Sequence, residues 1–370
     1  MKESTKHHTM LDKIKGCIVG GAVGDALGYP VEFMGYGSIL SRFGPKGITR
    51  YELDRNGVAE FSDDTQMTLF TATGLLAAGT TLHLGGDSAD DDSWVHHVAR
   101  HYIDWYMTQN YGSMDREHAS WLYEIPELHS RRAPGTTCLG SLRNLVRGID
   151  TRNNSKGCGG VMRVAPVALC ADLRKSRDSE FLYALGADVA DITHHHPLGY
   201  LPAALLVLLL DKILTCDGAV DLKQLVVSSI LDMEQWHPQG YEALADLMKR
   251  AVELSESDLP DEECIRRLGE GWVGDEALAI AVYCALRHPD SFEDAVVAAV
   301  NHSGDSDSTG AICGNIMGLV YGYDAIPAYF KESLELLPLL EEVATDLYTG
   351  CTRTADPEAW KKKYLEGHRA

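Results

Sequence analysis

The sequence predicts one compact all-α domain covering residues 1–370. Three observations carry that prediction. Apolar residues recur at helical spacing along most of the chain, and period-two alternation rich in Val, Ile and Thr is nearly missing. Gly, Pro, Asp and Ser mark the edges of the periodic segments, and no Gly/Ser or Pro-rich linker divides the chain. Hydrophobic content of 45% and charged content of 24% belong to a globular chain, and no internal repeat is evident.

The first helix is expected over Leu11–Leu27, where Gly20, Gly24 and Gly28 recur every four residues. That spacing lines small residues along one face and permits close contact with a neighbouring helix. The glycines invite comparison with a dinucleotide fingerprint, but no strand precedes them. Glu32 lies just beyond Pro30, outside the helix, where a carboxylate can point into a site. Tyr36–Phe61 shows no helical pattern and reads as a long, glycine-containing loop. Helices are then expected over Gln66–Ala78, Trp94–Met107, Leu139–Arg147, Val161–Ala171 and Phe181–Ile192. Further helices follow over Ala203–Leu214, Leu222–Met233, Tyr241–Leu254, Glu276–Leu286, Phe292–Asn301 and Thr309–Tyr321. Between them, Asp87–Asp92 reads as a solvated loop. Arg131–Thr137 and Asn153–Gly160 read, with Tyr36–Phe61, as the rim of a pocket.

Composition excludes several function classes. Lys plus Arg is 33 against 54 Asp plus Glu, a formal charge of −21. So acidic a balance argues against nucleic-acid partners, whose phosphates require basic surface. The most apolar run, Leu201–Leu210, is stopped by Asp211 and is too short for a bilayer span, so no membrane partner is expected. The polar Met1–Met10 segment carries no targeting signal. Nine cysteines without a Cys-x-x-Cys pair fit reduced core thiols and a cytoplasmic location.

Two acidic clusters near opposite ends of the chain suggest the chemistry. Ser62-Asp63-Asp64-Thr65 and Asp305-Ser306-Asp307-Ser308-Thr309 each place two carboxylates beside hydroxyls and lead into an apolar helix. In the first, Ser62 suits an N-cap, and Asp63 and Asp64 suit the first helical turn. In the second, alternate carboxylates of a non-helical turn can converge while Ser308 opens the helix. Four carboxylates brought together repel unless a counter-charge is present. A pair of cations about 3.5–4 Å apart supplies one, and oxygen ligands favour magnesium, manganese or calcium over zinc. Ordinary helix capping on an acidic surface is the alternative.

Five ordered stretches carry a family resemblance. They are Gly20–Gly28 with Glu32, Ser62–Leu69, Gly157–Pro166, Ile192–Pro197 and Gly304–Ala311. Together they resemble the ADP-ribosylglycohydrolase family over about Leu11–Tyr323. The resemblance implies an orthogonal helical bundle with a binuclear site at helix N-termini, holding two Mg2+ ions or Mn2+ in their place. It makes Ser62, Asp63, Asp64, Asp305, Asp307 and Ser308 the metal ligands. Ser62 stands where the family usually has Thr, which keeps the hydroxyl. Glu32 would be the carboxylate that moves between metal and substrate, and Glu32 and Asp307 are the two candidates for general base. Members that reactivate dinitrogenase reductase carry an extra Asp just before the Gly135–Thr137 loop. Ala133-Pro134 stand there in this chain, so that role does not transfer.

Gly135, Thr137, Gly157, Gly159, Gly160, Arg163 and His194 are the candidate substrate-binding residues. Gly157–Gly160 at a helix start could cradle the diphosphate. Arg163 could assist, or it could hold two helices together. His194 heads a run of three histidines whose side chains point in different directions, which suits the pocket wall better than a metal tract. The expected function is metal-dependent removal of ADP-ribose from a modified protein, foremost from arginine. One alternative is a binding protein that occludes an ADP-ribosyltransferase toxin, with or without hydrolysis. Another is a hydrolase of a small ADP-ribosyl metabolite.

Overall fold

The computed structural model describes residues 9–84, 93–110, 117–175, 178–236 and 240–366. Its first helices are α1 (Met10–Gly28), α2 (Tyr36–Phe43), α3 (Asp63–Leu84), α4 (Ser93–Thr108), α5 (Thr136–Val146) and α6 (Ala165–Leu169). There follow α7 (Ala171–Arg174), α8 (Ser179–Asp191), α9 (Pro197–Thr215), α10 (Leu222–Trp236), α11 (Glu242–Ser255) and α12 (Asp261–Leu268). The last are α13 (Gly274–Arg287), α14 (Phe292–Val300), α15 (Ser306–Tyr321), α16 (Ala328–Glu332), α17 (Leu337–Thr349) and α18 (Pro357–Tyr364). Among the described residues there is no β-strand, only isolated bridges at Ala59–Leu334 and Gly157–Val273.

Local chemistry explains where these helices begin. Thr9, Asp178, Ser291 and Asp356 accept hydrogen bonds from first-turn amides of α1, α8, α14 and α18. His196 caps α9 in the same way, ahead of Pro197. The short helices escape a periodicity reading. α12 buries only Cys264, Ile265 and Leu268, although its acidic first turn and basic last turn complement the helix dipole. α2 corrects the expectation of a wholly irregular Tyr36–Phe61 segment: eight residues bury Ile39 alone, too little to set a period. The Asp87–Asp92 segment lies outside the described residues.

The centre is built from α1, α3, α9, α13 and α15, each buried along most of its length. Both α3 and α9 are long and apolar enough to cross a membrane by length and composition, and α9 outreaches the Leu201–Leu210 run on both sides. In the fold 78% of each apolar window is buried among other helices.

The most extensive helix pair is α1 against α15, which run antiparallel at backbone contact. A Cβ at Gly24 would stand 1.9 Å from the Gly310 carbonyl oxygen, and one at Gly314 would stand 2.0 Å from that of Gly20. At the end of this seam a Cβ on Gly28 would lie 2.3 Å from the Ser306 carbonyl oxygen. Asn315 adds a cross-helix hydrogen bond, its Nδ2 donating to Cys17 O at 2.8 Å. The four-residue glycine spacing thus marks a helix-packing face, as expected. Its consequence for function is that the C-terminal end of α1 meets the N-terminal end of α15.

Because backbone lies on both sides of this seam, no side-chain rotamer can relieve an added methyl group. Gly314→Ala is expected to cost about 3 kcal/mol or more in urea unfolding. Gly140→Ala, inside α5 with nothing within 4 Å of its Cβ direction, is expected to gain about 0.5–1 kcal/mol. Equal effects at the two sites would refute backbone contact as the reason for the glycines.

Candidate metal centre and active site

Where α1 and α15 meet, a cavity of about 350 Å³ opens to the surface. Glu32 enters it from the turn after α1, Asp63 and Asp64 from the first turn of α3, and Asp305, Asp307 and Ser308 from the start of α15. Carboxylate oxygens of Glu32, Asp305 and Asp307 lie within 4.8 Å of one another, and all three residues are buried. α15 begins at Ser306, three residues before the expected Thr309. Asp305 is the cap, and its carboxylate and that of Asp307 both accept from the Ser308 amide, at 3.4 and 2.9 Å. The two carboxylates therefore converge across a helical first turn rather than a non-helical one.

The acidic end of α3 is held by a residue that the motif reading passes over. Asp25, fully buried on α1, accepts from Ser62 N at 2.8 Å, Thr65 N at 2.9 Å and Thr65 Oγ1 at 2.5 Å. It clamps the start of α3 onto α1 and so sets the position of Asp63 and Asp64. A lone carboxylate in a run of small and apolar residues is the sequence signal that marks it. Ser62 caps Asp64 N with its Oγ at 3.3 Å and is fully buried behind the cavity wall. Asp63 accepts from Gly135 N at 3.2 Å, which ties the 131–137 loop to the cluster.

Burial and mutual repulsion dominate the electrostatics. Burial, then Asp307 and Asp305, push Glu32 up to about 11. Burial and Asp307 push Asp25 up to about 7, against hydrogen bonds from Thr65 and Ser62 that lower it. Asp63, Asp64 and Asp305 are likewise raised well above the carboxylate range, by burial first and Asp307 second. Among the described residues no Lys or Arg lines the cavity. Glu32 Oε2 and Asp64 Oδ2 are buried without a hydrogen-bond partner. Orphaned carboxylate oxygens in such a cavity fit a hard divalent cation, and the donor set of oxygens alone fits the same class.

The remaining candidate residues divide. Gly135, Thr137, Gly157, Gly159 and His194 line the cavity, and Gly160 lies just behind it. The amides of Gly157 and Cys158 are already engaged, by Ser155 Oγ at 3.3 Å and Trp272 O at 3.2 Å. The anion cradle expected over Gly157–Gly160 is thereby narrowed to Gly159, since Gly160 packs against Gly199 and Ala190 instead of lining the cavity. Arg163 is not on the wall. Its fully buried guanidinium lies 4.4 Å from the Tyr102 ring centroid and donates to Thr193 Oγ1 at 2.6 Å. It also reaches Cys138 Sγ at 3.3 Å, so of its two expected roles the structure places it in the helix-holding one. The reason is burial: every direction open to this side chain meets packed helix.

Arg163 nevertheless acts on the wall through Thr193. The Thr193 hydroxyl, which accepts from Arg163, also hydrogen-bonds His194 Nδ1 at 2.8 Å. That contact fixes the ring so that His194 Nε2 faces the segment at Gly157 and Gly159. Burial, with Arg163 and His195 adding to it, pulls the imidazole down to about 3, so the ring is neutral. His195 instead pairs with Asn153, and His196 caps α9. Of the three expected rim loops, 131–137 and 153–160 line the cavity, whereas Tyr36–Phe61 does not. That segment is anchored away from it, through Ile48 on Asn301 and Ala59 beside Leu334. Two wall residues that the motifs miss are Phe33 and Trp272, whose rings stack at 5.6 Å.

Comparison with known proteins identifies relatives over nearly the whole chain. The family model described as ADP-ribosylglycohydrolase matches residues 6–357. The ADP-ribosyl-[dinitrogen reductase] glycohydrolase of Rhodospirillum rubrum is 26% identical, over 88% of this chain and 91% of its own. The ADP-ribosylarginine hydrolase Tri1 of Serratia proteamaculans is 23% identical, over 91% of this chain and 79% of its own. Among solved structures, an ADP-ribosylglycohydrolase-related protein complex superposes with a TM-score of 0.62 at 25% identity. The match covers 92% of this chain and 98% of that one. With nearly the whole chain matched and the motif residues gathered round one cavity, this protein belongs to the ADP-ribosylglycohydrolase family.

Proposed function

We propose that this chain is a metal-dependent hydrolase that releases ADP-ribose from modified proteins, foremost from arginine. The observation that carries the reading is the convergence of Glu32, Asp305 and Asp307 in a cavity that, among the described residues, no Lys or Arg lines. Asp63, Asp64, Asp305, Asp307 and Ser308 would hold two Mg2+ ions, or Mn2+, with Ser62 as a sixth oxygen donor. Such ions, when bound, neutralise the cluster, orient hydroxyl oxygens and lower the pKa of water. Hydrolysis breaks the bond from ribose C1 to the leaving nitrogen and forms one from C1 to the oxygen of water. One proton passes to the leaving group, and no electron changes hands. Glu32 or Asp307 would take the proton from the attacking water, and oxocarbenium character at C1 is favoured by the surrounding carboxylates. His194 Nε2 and the amide of Gly159 would offer the diphosphate neutral polar contacts, which suits an acidic cavity that must accept an anion. The name of the Serratia relative, an ADP-ribosylarginine hydrolase, supports arginine as the linkage.

With Mg2+ present, ADP-ribose release from an arginine-linked peptide is expected, with loss of release in EDTA. Asp307→Ala is expected to reduce kcat/KM by at least about a hundredfold. Release that persists unchanged in EDTA would count decisively against the metal-dependent reading. His194→Ala is expected to weaken inhibition by free ADP-ribose about tenfold, the worth of one or two neutral hydrogen bonds. Unaltered inhibition would remove His194 from the diphosphate.

A pH dependence follows from the raised carboxylates. Folded Asp25 and Glu32, at about 7 and about 11, keep protons that the unfolded chain has lost. Their contribution to stability is complete below about pH 4 and fades as pH rises through those values. The Tm of EDTA-treated protein is therefore expected to fall between about pH 5 and about pH 8, with saturating Mg2+ reversing much of the fall. Identical Tm values with EDTA and with Mg2+ at the higher pH would contradict cation binding by the cluster.

A further inference from the structure

We infer that Phe33 and Trp272 form the leaving-group platform of this site, an aromatic pair that takes the guanidinium of ADP-ribosylated arginine and favours it over neutral linkages. The inference rests on the hydrolase reading and adds to it the residues that choose the substrate. The two rings stack with centroids 5.6 Å apart and planes inclined by 19°. Both line the cavity, yet Phe33 is 75% and Trp272 38% exposed. Large aromatic side chains left this open beside a buried acidic cluster face whatever enters from solvent.

Position along the substrate selects among occupants. Phe33 is the residue after Glu32, whose carboxylate stands with Asp305 and Asp307. The pair therefore borders the reacting end, where ribose C1 and its leaving group lie. The adenine ring of ADP-ribose lies at the opposite end of the molecule, beyond the diphosphate and a second ribose. The Trp272 backbone is firmly held: its carbonyl accepts from Cys158 N, and Val273 bridges Gly157. Glu276 Oε2 accepts from the preceding amide, Gly271 N, at 3.2 Å. The ring is thus a fixed surface rather than a loose flap.

Charge decides the class of leaving group. A guanidinium stacks on aromatic faces and is drawn by carboxylates, and here it meets both, with no Lys or Arg among the described residues of the wall to repel it. A neutral serine ether offers neither a cation nor a planar face. Departure leaves the guanidine protonated, so the platform holds the same cationic plane before and after cleavage.

The test uses the full chain with Mg2+ and compares wild type, Phe33→Ala, Trp272→Ala and Trp272→Phe. The substrates are one peptide carrying ADP-ribosylarginine and one carrying ADP-ribosylserine, with free ADP-ribose as inhibitor. The alanine variants are expected to lose about tenfold in kcat/KM on the arginine-linked peptide. They should change less than about twofold on the serine-linked one and leave inhibition by ADP-ribose intact. Trp272→Phe should retain most of the preference. Equal losses on both peptides together with weaker ADP-ribose inhibition would overturn the platform, since the rings would then serve the nucleotide or the wall. Unchanged kinetics on both would also overturn it, as would a wild type that cleaves only the serine linkage. Release from neither peptide by the wild type would overturn the hydrolase reading and the platform with it, which separates the two failures.

Discussion

Backbone contact between α1 and α15 is the constraint on which the rest depends. Where Gly20 meets Gly314 and Gly24 meets Gly310, the helices approach too closely for any side chain to stand between them. The antiparallel seam continues to Gly28 against Ser306, so the turn carrying Glu32 arrives beside Asp305 and Asp307. Residues from opposite ends of the chain thus share a cavity through a contact that is steric rather than chemical. Asp25, one residue beyond Gly24, extends the same contact sideways by clamping the start of α3. One helix seam therefore positions three of the acidic elements.

That arrangement concentrates negative charge on buried side chains, and the protein does little to neutralise it. Arg163 and Arg132 are both buried nearby, yet each is turned to another task. Arg163 packs on Tyr102 and Thr193, while Arg132 pairs with Glu335 and Glu60 and bonds Phe61 O. The carboxylates are left facing one another, and their raised pKa values measure the strain of that choice. The cavity wall keeps to neutral polar groups instead. The Arg163–Thr193–His194 chain illustrates the arrangement: the charge stays in the core, and only the neutral imidazole reaches the cavity.

Much of this is legible in the sequence, residue by residue. Asp63, Asp64, Asp305 and Asp307 stand out because carboxylates grouped at helix starts are unusual in such apolar surroundings. The glycine face of α1 is legible because a period of four is a local property. The short helices α2 and α12 are not, since one or three buried residues cannot establish a period. Asp25 escapes a motif reading because its partners, Ser62 and Thr65, are distant in sequence. Arg163 illustrates the opposite difficulty. It sits inside a glycine-rich motif that suggests anion binding, and only its packing reveals that no face of it reaches the cavity.

The sequence by itself determined the helical architecture, the acidic helix starts and the ordered motifs that place the chain in its family. Each of these depends on neighbours within a few residues, or on an order that linear text preserves. Tertiary structure alone decided which carboxylates meet, which loops form the wall, and that Phe33 and Trp272 share one mouth. Those outcomes depend on how closely helix backbones can pack and on what then lies opposite, a property of surfaces that come together only when the chain is folded.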